Sequence, residues 1–350
     1  GAVFCACSIL ATVVPQLDEP PVTTRKLLAH CVLALQLFSD NDIQLKILKG
    51  SRALFEKAAS ERQMLTYSLP MSYIRLFRSG KLAIQSAAAD ALCCYAQKIS
   101  APIIVIRCLL QIVRTQILKV SSTVINAIIT IVKNIKLTKE ECDETVYALT
   151  PLFKHSKMAM RELAAIGVSA TLLSSPVDYM VEKILGNTII DFSNDQFTHT
   201  SIVILDDILK NKSPQIIDKI LPFVMDKLKN WQNNNSDEVR AIYPKICMTC
   251  IICMPSLLDK LLPYVLDIFQ NGEVEQQVVA CQELHRLIAI IDKLSSSDAV
   301  EILKCLMSAY DYGSPAVQSA AATSIFDLYH LDEKDDNQIK SLATKMDDPK

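Results

Sequence analysis

Apolar side chains recur every three to four residues through most of the chain, which is the spacing of one buried face on an α-helix. In the stretch 23–38 they are mostly leucines, and a short acidic segment ending in two prolines precedes it. The polar run SDND at 39–42 interrupts the pattern, which then resumes over 43–58. Because Ser, Asp and Asn favour the beginnings of helices, this stretch predicts a helix, a tight turn and a second helix.

The same unit of two helices recurs along the chain, and eight pairs can be counted. The fifth pair follows the pattern least well, because its second helix begins with polar residues. The predicted pairs are 23–38 with 43–58, 62–78 with 81–98, 102–117 with 120–136, 139–154 with 157–174, 177–193 with 197–210, 213–231 with 235–254, 256–270 with 273–292, and 296–310 with 314–330.

Two stretches of the sequence nearly repeat each other. Residues 80–96 read GKLAIQSAAADALCCYA and residues 313–329 read GSPAVQSAAATSIFDLY. Their branched aliphatic residues, Ile84 and Val317, lie 233 positions apart, which is six steps of about 39 residues. Helix pairs at a period of this size predict an α-solenoid, in which each repeat buries its apolar face against its neighbours.

The unit resembles the HEAT repeat. Second helices of that repeat often open with Val-Arg and continue with small residues, as VRA does at 239–241 and as MR at 160–161 does before LAA at 163–165. Alanines allow neighbouring helices to stack closely, and a proline inside a helix removes one backbone hydrogen bond. HEAT first helices often carry Leu-Pro, which this chain has at 69–70, 221–222 and 262–263.

The resemblance implies an all-α, right-handed solenoid of about eight HEAT-like helix pairs with a partial repeat at each end. The whole chain 1–350 would be one solenoid, with a partial repeat and linker at 1–19, the pairs over 21–331 and a polar partial repeat or tail at 332–350. The apolar opening 2–14 indicates the second helix of an incomplete repeat, so we expect a fragment of a longer protein. The regular period and short turns look most like the scaffold subunit of a heterotrimeric protein phosphatase.

Composition argues against catalysis. Seven glycines leave little room for a phosphate-binding loop, and five histidines are scattered without a nucleophile motif. Paired carboxylates such as Asp206-Asp207 and Asp335-Asp336 lie in polar contexts and are expected to be solvated. We therefore predict no enzyme, no catalytic residues and no cofactor.

Charge is distributed unevenly, although the net charge is only −2. Residues 1–136 carry 16 Lys and Arg against 7 Asp and Glu, whereas residues 137–350 carry 20 against 31. A basic and an acidic part in one array can direct two unlike partners to different places.

The predicted binding surface is the edge formed by the A–B turns, which join the first helix of each pair to the second. In a solenoid these turns line up, and we expect this edge to change from positive to negative along the chain. Trp231, beside three asparagines, is a further candidate anchor for a partner. The predicted partner-binding residues are the basic Arg75, Arg78, Lys81, Lys119, Lys154, Lys157 and Arg161, then Trp231, then the acidic Asp237, Glu238, Glu273, Glu275 and Asp311.

Twelve cysteines are scattered through the helical patterns and are interpreted as small buried hydrophobes of a reducing compartment. Cys247, Cys250 and Cys253 have a spacing that can begin an iron–sulfur ligand set, but no fourth ligand follows and the run 246–254 is apolar. Cys281 and His285 have a helical spacing able to share a metal, without a second ligand pair. We predict core packing for the three cysteines and no metal site.

The sequence thus predicts a non-enzymatic scaffold of the cytoplasm, the nucleus or both, which holds other proteins along its A–B turns and concave face. The leading hypothesis is a phosphatase scaffold that binds a catalytic and a regulatory subunit. The first alternative is a nuclear transport receptor or cargo adaptor. The second is a nucleic-acid or ribonucleoprotein-binding array that uses the basic segment, although no aromatic residues interleave its basic ones. No membrane insertion is expected, because the apolar opening is too short to span a bilayer.

Overall fold

The computed structural model describes residues 21–57, 68–77, 81–115, 120–186, 195–211, 214–231, 237–284, 286 and 296–330, and most of these residues form α-helices. Two short 3-10 turns, Thr150–Lys154 and Pro255–Leu257, each contain a proline. The α-helices are α1 (Pro21–Leu37), α2 (Asn41–Lys57), α3 (Ser68–Leu76), α4 (Leu82–Ala96), α5 (Ile103–Thr115), α6 (Ser122–Val132), α7 (Lys139–Leu149), α8 (Met158–Leu173), α9 (Val177–Leu185), α10 (Asp195–Asn211), α11 (Pro214–Trp231), α12 (Asp237–Cys253), α13 (Leu258–Asn271), α14 (Val274–Leu284), α15 (Ser296–Tyr312) and α16 (Pro315–His330).

Packing contacts confirm seven of the eight predicted pairs: α1 with α2, α3 with α4, α5 with α6, α7 with α8, α11 with α12, α13 with α14 and α15 with α16. The pairing of α9 with α10 stays a prediction. The bounds of the described helices differ from the predicted ones mostly by a few residues. α1 begins at Pro21 rather than at residue 23, because a proline fits the first helical position, where its missing N–H would have no partner. The partial repeats expected at 1–19 and 332–350 lie outside the described residues.

All three Leu-Pro pairs fall in first helices, as the HEAT resemblance implies. Pro222 and Pro263 lie inside α11 and α13. Pro70 lies in the first turn of α3, where a backbone N–H has no helical partner in any case. Pro244 lies inside the second helix α12, and the sequence pattern did not indicate it.

Contacts divide the chain into two compact units, residues 1–180 and 181–350. In the first unit α2, α4, α6 and α8 pack one on the next, and α1, α3, α5 and α7 form the neighbouring layer. In the second unit α10, α12, α14 and α16 pack in the same order, and α13 packs on α15. Within each unit, a pair thus contacts the next pair in sequence, which is the packing of an α-solenoid of HEAT-like pairs. That the whole chain is one continuous array stays a prediction.

Small residues bring the second helices of the first unit close together. Ala88 and Ala91 of α4 are fully buried. On α8, a Cβ at Gly167 would lie 3.0 Å from Leu149 Cδ1 and 3.6 Å from Ile129 Cγ1, which belong to α7 and α6. Since a larger side chain would have to displace these neighbours, glycine allows the close approach.

Three aromatic rings join the first two pairs. The Phe55 ring on α2 is fully buried, with its centroid 6.1 Å from that of Tyr73 on α3 and 5.4 Å from that of Tyr95 on α4. Among the described residues no hydrogen bond of good geometry reaches the buried Tyr73 hydroxyl, although the Ser51 hydroxyl lies close enough to oppose part of the effect of burial on the Tyr73 pKa. The nearby Ser51 hydroxyl donates to the Leu48 carbonyl oxygen at 2.9 Å. Burial raises the pKa of the Tyr73 phenol, which therefore stays protonated and neutral at physiological pH.

Tyr73→Phe is therefore expected to raise the free energy of unfolding by about 1 kcal/mol, because it removes a buried hydroxyl that no hydrogen bond of good geometry satisfies and keeps the ring. Urea unfolding of both proteins measures the difference. Tyr147→Phe is the control, since the Tyr147 side chain is exposed and should tolerate the change with little effect. A less stable Tyr73→Phe variant would show that the hydroxyl does have a stabilising partner.

Candidate functional site

The described residues among the predicted basic ones lie at or beside two A–B turns of unit 1–180. Arg75 is exposed in the last turn of α3, and Lys81 is exposed at the residue that precedes α4. The fourth turn, between α7 and α8, brings together Lys154, Lys157 and Arg161. Arg78 and Lys119 lie outside the described residues.

His155 organises the fourth turn. It is buried, and its Nδ1 accepts a hydrogen bond at 3.1 Å from the backbone N–H of Lys157, at the start of α8. Its carbonyl oxygen accepts from Arg161 Nη1 at 3.1 Å. The exposed Lys154 and Lys157 are therefore held on a turn of defined backbone geometry. Because the exposed side chains of this turn are positively charged, the turn favours binding to an acidic surface of a partner.

The predicted acidic residues lie in unit 181–350. Glu273 and Glu275 are exposed at the seventh turn, between α13 and α14, and Asp311 is exposed beside the eighth, between α15 and α16. These two turns are neighbours, because α13 packs on α15 and α14 packs on α16. Three further predicted residues begin or end helices, but their side chains lie outside the described ones: Trp231, Asp237 and Glu238.

A groove of about 510 Å³ lies between the seventh and eighth turns, and we call it the turn groove. Phe269, Ala309 and Val317 give it an apolar part, and Gln277 and Ser308 give it polar groups. At its rim Tyr312 is 87% exposed, the largest exposure among the big hydrophobic side chains described. The turn groove is open to solvent and is lined by both polar and apolar groups.

Glycines shape both turns beside the groove. The N–H groups of Gly272 and Gly313 donate to the carbonyl oxygens of Ile268 and Ala309 at 2.9 and 3.0 Å, and these bonds end α13 and α15. A Cβ at Gly313 would lie 2.4 Å from the Ala309 oxygen and 2.9 Å from Val317 Cγ1. A side chain there would force the turn apart, so glycine keeps α15 and α16 close at the groove.

The turn groove was missed by sequence reasoning, because its lining comes from four helices. One signal could have indicated it: Gly272 and Gly313 occupy equivalent turn positions one repeat apart.

A buried polar network joins second helices of unit 181–350, and it corrects the expectation that Asp206 is solvated. Asp206 on α10 is 4% exposed. Its Oδ2 accepts from Lys210 Nζ at 2.7 Å and lies 3.8 Å from Lys245 Nζ on α12. Its Oδ1 accepts from the Thr249 hydroxyl, also on α12. The burial is possible because charged and polar partners surround the carboxylate.

Arg286 continues this network toward α14. Its Nη2 donates to Thr249 Oγ1 at 3.1 Å, and its Nη1 pairs with the Glu283 carboxylate on α14. A continuous series of polar contacts thus connects α10, α12 and α14, the second helices of the fifth, sixth and seventh pairs.

Of the three cysteines predicted to pack in the core, Cys247 and Cys250 do so, and Cys253 is half-buried. Cys247 and Cys250 on α12 are fully buried, and the Cys253 thiol donates to the Leu209 carbonyl oxygen at 3.6 Å. Burial raises the pKa of the Cys247 thiol to about 12. Within the described parts of the chain, no group of three or more His, Cys, Asp or Glu side chains is placed to hold a metal ion. His285 lies outside them.

We expect Cys142, Cys247 and Cys281 to resist alkylation in the native protein. Burial raises the pKa of each thiol to about 12, so the reactive thiolate is about a thousandfold scarcer at neutral pH than in an ordinary thiol. Peptide mapping after iodoacetamide treatment measures this, with urea-unfolded protein as the fully labelled control. The partly exposed Cys94 should label faster. Equal labelling of Cys94 and Cys247 in the native state would contradict the expectation.

Comparison with known proteins agrees with the fold. No protein-family model matches the sequence, and no curated protein matches it. Among solved structures, Kap121p bound to Pho4p covers 93% of this chain with a TM-score of 0.65 at 12% identity. Kap121p bound to Ste12p gives the same three values. The karyopherin Kap121p bound to the extreme C-terminus of the protein phosphatase Cdc14p gives a TM-score of 0.63, again at 12% identity and 93% coverage.

The chain spans about a third of the length of these proteins, 35% to 36% of each. At this identity the likeness shows the fold, a HEAT-like helical solenoid, which confirms the predicted fold class. The structures compared are karyopherins and give no specific support to the phosphatase scaffold that the sequence favoured. Among the described helices, none combines the length and hydrophobicity needed to cross a bilayer.

Proposed function

We propose that this chain is a non-enzymatic, protein-binding solenoid of the nuclear transport kind, either a receptor or a cargo adaptor. One observation carries the proposal: 93% of the chain follows the fold of Kap121p, in structures where that protein holds Pho4p, Ste12p or the extreme C-terminus of Cdc14p. A protein with this function would work in both cytoplasm and nucleus, and its partners would be other proteins. The exposed charged turns are the surface that we expect those partners to contact.

The nucleic-acid alternative is weakened by ion pairs in the basic segment. Arg52 lies 3.0 Å from Glu56 and 3.7 Å from Asp90, and Arg107 and Arg114 both pair with Glu144. These arginines are thus partly neutralised within the protein. They are less free to release counterions from a phosphate backbone.

Affinity capture from native extract, with the full chain as bait and mass spectrometry as readout, tests the proposal. We expect transport components, including a small GTPase, to be retained in near-stoichiometric amounts. A phosphatase catalytic subunit retained without transport components would replace the proposal with the phosphatase scaffold. Retention of RNA that falls steeply with salt would replace it with the nucleic-acid array.

A further inference from the structure

Three cysteines follow one another along α12 at intervals of three residues, and core packing accounts for only two of them. Cys247 and Cys250 are fully buried, whereas Cys253 is half-buried and is the last residue of the helix. Residues three apart on a helix are neighbours on its surface, so the Cys250 and Cys253 thiols form a pair at the end of α12. This pair has no part in the proposed protein-binding surface.

The Cys253 thiol is the member of this pair that a reagent from solution reaches first. Burial raises the pKa of this thiol. The positive charges of Arg286 and Lys210 oppose that shift, since they favour the reactive thiolate, and the carboxylate of Asp206 adds to it. A thiol that solvent reaches, with a second thiol one turn away, is the arrangement in which oxidation ends in a disulfide.

The helix holds the two thiols too far apart for a disulfide to form without movement. Cβ atoms three residues apart on a helix are separated by about 5 to 6 Å, whereas a disulfide joins Cβ atoms about 3.8 Å apart. The end of α12 allows such movement. The Met254 N–H donates to the Cys250 carbonyl oxygen at 2.9 Å, and Met254 itself has left the helix, with φ −139° and ψ 89°. The last turn can therefore unwind while the rest of α12 stays helical.

Cys247 and Cys250 have the same spacing but lie inside the helix. They cannot approach each other in this way, because the backbone on both sides of them is held by helical hydrogen bonds. The geometry thus selects Cys250 and Cys253 as the pair that can join.

We propose that Cys250 and Cys253 form a reversible disulfide when the chain meets hydrogen peroxide, and that this bond unwinds the last turn of α12. The Cys253 thiolate attacks one peroxide oxygen, which breaks the O–O bond and gives a sulfenic acid, and the released hydroxide takes up the thiol proton as water. The Cys250 thiol then attacks the sulfenic sulfur and forms the S–S bond, and the sulfenic hydroxyl leaves with the Cys250 proton as a second water. A dithiol such as dithiothreitol reduces the bond again.

Unwinding at this place weakens the packing of α12 on α10. In the reduced protein the Cys253 thiol donates to the Leu209 carbonyl oxygen of α10 at 3.6 Å, and that bond is lost when Cys253 turns toward Cys250. The same helix end precedes the short 3-10 turn Pro255–Leu257, which leads into α13. The disulfide therefore changes the link between the sixth and seventh pairs, and it alters local stability rather than the fold.

Peptide mapping of the full chain tests the pairing. Native protein is treated with hydrogen peroxide, and free thiols are then capped with iodoacetamide in urea. Trypsin releases residues 246–260 as one peptide, which carries all three cysteines of α12. We expect Cys247 alone to be capped in this peptide after oxidation, and all three cysteines to be capped when dithiothreitol precedes the iodoacetamide.

Amide hydrogen exchange tests the conformational change. The amides of residues 251–254 should exchange at least about tenfold faster in the oxidised protein, and dithiothreitol should restore the slow rate. Cys253→Ser should abolish both the disulfide and the effect of peroxide on exchange. Cys108→Ser is the matched control and should leave both unchanged, because Cys108 is also half-buried but no cysteine lies three or four residues from it. Circular dichroism establishes that each variant is folded.

Several results would overturn the proposal. Peroxide that oxidises Cys108 and leaves Cys253 as a thiol would show that the oxidant does not reach the end of α12. Sulfinic acid at Cys253 beside a capped Cys250 would show that the two thiols do not meet, and a disulfide between two chains on a non-reducing gel would replace the internal bond with self-association. A disulfide without faster exchange at residues 251–254 would show that the bond forms but unwinds nothing.

Discussion

Phe55→Ala is expected to lower the free energy of unfolding of unit 1–180 by about 4 kcal/mol. The Phe55 ring is fully buried and contacts the Tyr73 and Tyr95 rings, so alanine would leave a cavity between two helix pairs. The substitution also removes two aromatic contacts, each worth about 1 kcal/mol. Urea unfolding measures the total loss of unfolding free energy. Amide hydrogen exchange should become faster first in α2, α3 and α4, because a solenoid repeat is stabilised mainly by its neighbours.

The matched control is Tyr147→Ala in the same unit. Tyr147 is 77% exposed, so the loss of its ring should change stability by no more than about 0.5 kcal/mol. Phe55→Leu should lie between the two variants, because leucine refills part of the cavity. If Phe55→Ala and Tyr147→Ala proved equally stable, the aromatic cluster would not hold the first two pairs together.

The helices could be predicted because each one has its own apolar face, and the spacing of apolar residues within that helix is enough to identify this face. The start of α7 agrees with the prediction because Thr138 and Glu141 form a capping box, in which the Thr138 N–H donates to Glu141 Oε2 at 2.9 Å. The start of α6 was placed two residues early. There the Ser121 hydroxyl accepts from the Thr123 N–H and sets the true boundary, which the apolar spacing alone does not reveal.

For the charged turn residues whose side chains the structure describes, exposure could be predicted as well, since the repeat places them at turns and their charge keeps most of them in water. The partner-binding role of these residues stays a prediction. The turn groove could not be predicted, because it depends on how closely α13 and α15 pack. Asp206 was misjudged for a related reason. Its sequence neighbours are polar, whereas its partner Thr249 lies 43 residues away, about one repeat further along the chain.

Asp206→Ala is expected to lower the free energy of unfolding of unit 181–350 by about 2 to 3 kcal/mol. The change removes the acceptor of the 2.7 Å bond from Lys210 and of the bond from Thr249, and it leaves two lysines without their shared carboxylate. A fully buried pair broken in this way costs about 3 to 5 kcal/mol. The Lys210 and Lys245 side chains are 34% and 38% exposed, so water offsets part of that cost. Urea unfolding and hydrogen exchange in α10 and α12 measure the loss.

Three further variants separate the charge of Asp206 from its hydrogen bonds. Asp206→Asn keeps an acceptor for Thr249 and should lose less than Asp206→Ala. Asp206→Leu combined with Thr249→Val removes both hydrogen-bonding partners and should recover part of the loss, since unsatisfied buried groups cost more than absent ones. Asp218→Ala is the control, because Asp218 is exposed and its loss should cost no more than about 0.5 kcal/mol. If Asp206→Ala resembled this control, the network would follow from helix packing rather than stabilise it, and the stacking of α10 on α12 would rest on apolar contacts alone.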